Sequence, residues 1–225
     1  MNIQTYSKIE GAIEAEGLVV LIDILRACTT INILFARGVN KIIPVLDPED
    51  ALLYKNKNYI LIGEGDGGVD NSIFDFNNSP SEVINKNFIN RNVVLRSNNA
   101  TKGILSAKKA KSMVLGSFLN LQSLADYIKA NSSHNIITMV PLGRKGKKGL
   151  EDELFAQALT ATLKNETVDY DVIDKKLRSC ACAKLVSDDL GRPEDVDIAL
   201  RHNAFPNIPE VDLADSLKTI RVEKK

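Results

Sequence analysis

The sequence predicts an α/β fold, a largely parallel or mixed sheet layered between helices, with its site at the carboxyl ends of the strands. Three observations carry this: six short β-branched apolar runs, helix-period stretches between them, and polar loop residues gathered just after the runs. The first strand spans 18–24, where Leu18, Val19, Val20, Leu21 and Ile22 leave no polar face, as in a strand covered on both sides. A helix-like run over 29–37 follows, then a strand at 41–45, a helix at 48–55 and a strand at 59–62. After a long polar loop, a strand at 92–95, a helix at 101–108, a strand at 112–115 and a helix at 119–130 continue the alternation. The last strand, 135–140, precedes a helix over 150–163. Beyond it lie a helix at 170–185, a turn at 188–193, a short helix at 195–202 and a proline-containing tail. With no repeat, low-complexity tract or linker, residues 1–225 are expected to form one compact domain, with two lobes around a cleft as its variant.

A chain of 225 residues, 44% of them hydrophobic, can bury a full core. Lys+Arg and Asp+Glu both number 29, so overall charge favours neither nucleic acid nor an anionic membrane. The start of the chain carries Glu10, Glu14 and Glu16 in place of a signal peptide's basic and apolar regions, and no run reaches the length of a membrane span. Cys28, Cys180 and Cys182 form neither an even disulfide framework nor a zinc spacing. The expectation is a reduced cytoplasmic protein, homodimeric on base rates. His134 and His202 lack ligand spacing and read as surface residues, while Cys28 reads as a small packing residue.

Candidate chemistry follows the strands, where open α/β sheets collect ligands. Asp23 ends the first run and precedes Arg26, Thr29 and Thr30, a forked donor and two hydroxyls suited to an anion. Capping of the next helix is the competing role for Asp23. Glu64, Asp66, Asp75, Glu151 and Asp152 are further acids on connections or helix starts. Held together they repel unless a cation intervenes, and hard oxygen ligands point to magnesium. Glu151, Asp152 and Glu153 equally complement the positive end of their helix. The stretch Gly63-Glu64-Gly65-Asp66-Gly67-Gly68 and the run Asp75-Phe76-Asn77-Asn78-Ser79-Pro80 crowd glycines, acids and amides into one loop. Asn99, Thr101 and Ser117 follow later strands. Between Gly143 and Gly149, Arg144 and Lys145 are placed to reach an anion, while Lys147 and Lys148 read as solvated; the short patch without aromatics argues against nucleic acid.

In order and spacing these segments resemble the 2-phosphosulfolactate phosphatases of the ComB type. The matching pieces are Val20-Leu21-Ile22-Asp23-Ile24-Leu25-Arg26-Ala27, Gly63-Glu64 with Gly67-Gly68, Phe74-Asp75 with Asn78-Ser79-Pro80, Asn99 with Thr101, Gly116-Ser117-Phe118-Leu119-Asn120, and Leu150-Glu151-Asp152. The resemblance implies a magnesium-dependent phosphatase acting on the phosphate ester of a small anionic hydroxy acid, with sulfolactate chemistry belonging to coenzyme M synthesis. On that reading Asp23, Glu64, Asp75 and Asp152 supply metal ligands, and Arg26, Thr29, Thr30, Asn99, Thr101 and Ser117 hold phosphate. Asn78 and Ser79 orient the acids or bind substrate, and Glu151 is the base for attacking water. Asp23 as a nucleophile is the alternative, although Leu25 stands where an Asp-x-Asp pair would place its second acid. The chain departs from the family pattern at Asn77 and Ala100, both glycine in the family, and at Gly65 and Asp66. These departures open a second reading, a binding protein that keeps the anion cradle without turnover.

Overall fold

The computed structural model describes residues 2–63, 71–131 and 135–222. Strands and helices alternate as β1 (Asn2–Thr5), α1 (Lys8–Glu14), β2 (Gly17–Ile22), α2 (Ala27–Ala36), β3 (Lys41–Val45), α3 (Pro48–Leu52) and β4 (Tyr59–Ile62). They continue as α4 (Pro80–Val83), β5 (Asn92–Arg96), α5 (Asn98–Ser106), β6 (Ala110–Gly116), α6 (Leu121–Ala130), β7 (Ile136–Pro141) and α7 (Leu150–Leu163). The C-terminal part adds α8 (Tyr170–Ser179), α9 (Ala181–Lys184), α10 (Pro193–Ala199), β8 (Glu210–Val211) and β9 (Ile220–Arg221).

Among the described residues the strands form one nine-stranded sheet in the order β1-β7-β2-β6-β8-β9-β3-β5-β4. β1-β7-β2-β6 is parallel throughout, and so is β3-β5-β4. The antiparallel pair β8–β9 joins the two blocks through single residue pairs, Val114 with Glu210 and Ile42 with Ile220. All six expected strands are present. β1, β8 and β9 were not expected: β1 is a short polar edge strand, and two-residue strands carry no readable period. The helix expected over 170–185 is broken at Cys180, whose extended backbone (φ −71°, ψ 158°) ends α8 and whose sulfur accepts the Ala183 N–H to start α9.

The absence of a polar face on β2 has a direct cause. Val19 and Leu21 pack with Ile31 and Leu34 of α2, while Leu18, Val20 and Ile22 pack with Leu124, Phe155 and Leu159 from the other layer. Each such side chain contributes about 1.5–3 kcal/mol by leaving water. α2 shares its core cluster with Leu115 of one block and Ile42 and Val93 of the other, so it spans the seam between them. The loop between β2 and α2 is thereby fixed beside the loops after β5 and β7. Among the described residues no helix is long and apolar enough to cross a membrane.

Candidate functional site

Asp23 follows β2 and is 7% exposed. Its carbonyl accepts the Cys28 N–H at 2.9 Å and its Oδ1 the Ala27 N–H at 3.3 Å, so the carboxylate also serves the start of α2. Thr29 and Thr30 turn inward: their hydroxyls donate to the carbonyls of Ile24 (2.7 Å) and Arg26 (3.1 Å), bracing this loop from behind. Arg26 points its guanidinium to the buried Asp195, Nη1 lying 3.3 Å from Oδ2.

Asp152, in the first turn of α7, accepts the Ile24 N–H at 2.8 Å and the Gly143 N–H at 2.9 Å. One carboxylate thus ties the loop after β2 to the loop after β7. Burial, then the charge of Glu151 and then that of Asp23, hold the Asp152 carboxyl well above the usual range. Glu151 is 3% exposed and receives the Cys180 thiol at 3.6 Å on Oε2. Its Oε1 fills the space beside Gly149, where a built Cβ would lie 2.6 Å away. Burial first, then Glu151, also raises the Cys182 thiol, while burial and Asp23 raise that of Cys28.

After β7, Gly143 adopts φ +62° and the chain turns tightly, with Arg144 and Lys147 exchanging backbone hydrogen bonds of 2.9 Å. Asn99 Nδ2 donates to the Gly143 carbonyl at 2.8 Å, fastening this turn to the start of α5, where Ser97 Oγ accepts the Ala100 N–H. These loops enclose a cavity of about 490 Å³. It is lined by the acids Asp23, Glu151 and Asp152, the cations Arg26, Lys102, Arg144 and Lys145, and the polar Asn78, Ser97 and Asn99. Leu25, Leu185, Val186 and Leu190 add apolar surface. Asn78 is buried and its Oδ1 has no hydrogen-bond partner, an orphaned acceptor on a residue of the cavity wall.

The structure therefore gathers Asp23, Arg26, Asn78, Asn99, Glu151 and Asp152 around one cavity. Other expected residues lie elsewhere. Asp75 is exposed and accepts the Leu61 N–H at 2.8 Å, closing the end of β4. Ser79 is buried against Asp195, Thr29 and Thr30 brace the loop, and Ser117 forms a capping box with Asn120. Thr101 is buried in α5 with its hydroxyl unpartnered, outside the cavity wall. Glu64, Gly65, Asp66, Gly67, Gly68 and His134 lie outside the described residues. His202, read as a surface residue, is half-buried, with Nε2 2.7 Å from Asp174 and its ring 4.2 Å from that of Tyr170. Sequence reasoning missed Asp195 and Lys102: an acid after Pro193 and Glu194 reads as a first-turn residue, and nothing local marks its contact with Arg26.

Among the described residues no three His, Cys, Asp or Glu side chains form a ready-made cation cage. The donor chemistry still suits a hard cation: three carboxylic acid residues and Asn78, whose buried oxygen is unpartnered, line one cavity. Both glycine departures fit without strain. Ala100 is helical, Asn77 donates its N–H and Nδ2 to Glu82 at 2.7 Å each, and neither has a positive φ.

The family described as 2-phosphosulpholactate phosphatase matches residues 3–213. A protein of Thermoplasma volcanium named probable 2-phosphosulfolactate phosphatase is 30% identical over 193 residues, covering 85% of this chain and 87% of that protein. The 2-phosphosulfolactate phosphatase of Methanothermobacter thermautotrophicus is 30% identical over 207 residues, 87% of each chain. A probable 2-phosphosulfolactate phosphatase of Carboxydothermus hydrogenoformans is 31% identical over 214 residues, 88% of this chain and 87% of that one.

Proposed function

This chain belongs to the 2-phosphosulfolactate phosphatase family, and we propose that it hydrolyses the phosphate ester of a small anionic 2-hydroxy acid, 2-phosphosulfolactate or a close analogue. The observation that carries this reading is the cavity itself, whose lining brings three buried acids together with Arg26, Lys102, Arg144 and Lys145. Such a site accepts a polyanion on its cations while its acids stay desolvated.

Magnesium held by Asp23 and Asp152 would offset the burial and the acid–acid repulsion that together raise the Asp152 carboxyl, and would neutralise phosphate charge. Such an ion takes one or two protein carboxylates and completes its shell with substrate phosphate and water. Arg26 holds a phosphate oxygen through its fork, and Asn99 and the start of α5 complete the lining around the anion. Arg144 and Lys145, held by the tight turn, meet the remaining negative groups of the substrate. Glu151 takes the proton of the attacking water, with the Cys180 thiol fixing one of its oxygens. Leu185, Val186 and Leu190 limit water at the rim.

Phosphate release from 2-phosphosulfolactate, phospholactate and related phosphorylated hydroxy acids tests this. Turnover fastest on 2-phosphosulfolactate is expected, and a folded protein that releases phosphate from none of them defeats the proposal. Acid quench during turnover should trap no phosphorylated protein; a labile phosphoenzyme would shift the attack from water to Asp23.

A further inference from the structure

We propose that Asp195 is a positioning residue that sets the guanidinium of Arg26 and the chain beside Asn78, and so governs how tightly the cavity grips an anion. The identity of that anion rests on the phosphatase reading; the positioning itself rests on geometry. Asp195 has no exposed surface and is not part of the cavity wall, so it acts through other groups. Its Oδ2 lies 3.3 Å from Arg26 Nη1, Ser79 Oγ reaches both carboxylate oxygens at 2.8 Å, and the Ser81 N–H donates to Oδ1 at 2.8 Å.

A buried carboxylate is costly unless its lone pairs are filled, and for stability alone a well-packed apolar residue serves as well. Here the charge does something an apolar residue does not. A guanidinium is a rigid planar fork, so an anchor on Nη1 restricts how the whole group can turn. Asp195 also holds Ser79, through both oxygens, and Ser81, through Oδ1; the two serines flank Pro80 at the start of α4, just beyond Asn78 with its orphaned oxygen. One side chain from α10 thus sets two neighbouring parts of the wall, Arg26 and Asn78, from behind.

The test is Asp195→Asn, which keeps the shape and removes the charge. Steady-state phosphate release should show KM raised about tenfold with kcat within about twofold of wild type, because Arg26 grips the anion before and during the reaction alike. A merely structural role lowers the active fraction, reducing kcat at unchanged KM, and that result would overturn the proposal. The double variant Arg26→Gln with Asp195→Asn should raise KM by clearly less than the product of the two single effects, because the Arg26 part is lost only once; full additivity would also overturn it. If Asp195→Asn does not fold, Ser79→Ala removes one contact to the same carboxylate and should raise KM about threefold with kcat retained, while an unchanged KM counts against the proposal. Should wild type release no phosphate, the phosphatase reading fails separately, and calorimetric binding of inorganic phosphate decides the positioning claim. Asp195→Asn then weakens binding about tenfold if the claim holds and leaves it unchanged if it does not.

Discussion

Replacing Gly143 by alanine should damage this protein far more than the same change at Gly146, three residues along the same turn. Both glycines have positive φ, +62° and +73°, so each alanine carries roughly 1–2 kcal/mol of left-handed backbone cost. Their surroundings differ. A Cβ on Gly143 would lie 2.1 Å from the Lys147 carbonyl oxygen and 2.9 Å from the Gly149 nitrogen, whereas one on Gly146 meets nothing within 4 Å. Relief at Gly143 must open the first contact to at least 3.4 Å, and both crowding atoms are backbone. That movement breaks the Arg144–Lys147 pair and pulls the Gly143 N–H from Asp152 and its carbonyl from Asn99. Losing two of these bonds at about 1 kcal/mol each brings the total to roughly 3–4 kcal/mol. For a chain of this size Gly143→Ala should lower Tm by roughly 6–16 °C and Gly146→Ala by roughly 2–8 °C. Thermal melts with parallel assays of phosphate release measure both. Equal Tm shifts, or full activity in Gly143→Ala, would refute the claim that this turn is locked to Asp152.

Three further outcomes are expected. Burial pushes the Glu82 carboxyl up, but the Asn77 hydrogen bonds and the Arg192 charge outweigh it and leave it lowered from 4.5. A lowered carboxyl stabilises the fold above the unfolded value and loses that contribution as pH falls through the folded value, so the Tm deficit of Glu82→Gln at pH 7 should close on acidification below 4.5; a deficit constant down to pH 3 contradicts this. Cys28, Cys180 and Cys182 are buried with thiol pKa values raised, so a disulfide reagent should modify none of them in the native protein within minutes and all of them after denaturation; a fast native thiol is the contrary result. Arg144→Ala should raise KM roughly fivefold, the effect of losing about 1 kcal/mol from a half-exposed charge pair, while Lys147→Ala, outside the cavity wall, leaves KM within twofold; equal effects would remove the turn's directional role.

The strands of the two parallel blocks other than the polar edge strand β1 were legible because burial on both faces demands unbroken β-branched runs, and β2 is the plainest case. The loops after β2, β5 and β7 were legible as site-bearing because polar residues interrupt the pattern there. Hydroxyl roles were not legible: Thr29, Thr30 and Ser117 are as suited to binding phosphate as to bonding backbone, and here each bonds within its own loop or cap. Asp75 has the same ambiguity, a carboxylate able to hold a cation that here accepts the N–H of Leu61 in β4. Asp195 shows the harder limit, since its partners Arg26 and Ser79 lie 169 and 116 residues away and no local pattern encodes such contacts. The seam between the blocks was hidden because β8 and β9 are each only two residues long.

Asp23, at the carboxyl end of β2, is proposed to belong to a magnesium-assisted phosphatase site. Phosphate release from 2-phosphosulfolactate should be measured for wild type and Asp23→Asn, with magnesium and with EDTA, alongside a melt of each protein. The account predicts release by wild type that EDTA abolishes and magnesium restores, and its loss in an Asp23→Asn variant that still melts cooperatively. Release that EDTA leaves untouched, or that survives Asp23→Asn at the wild-type rate, would contradict it.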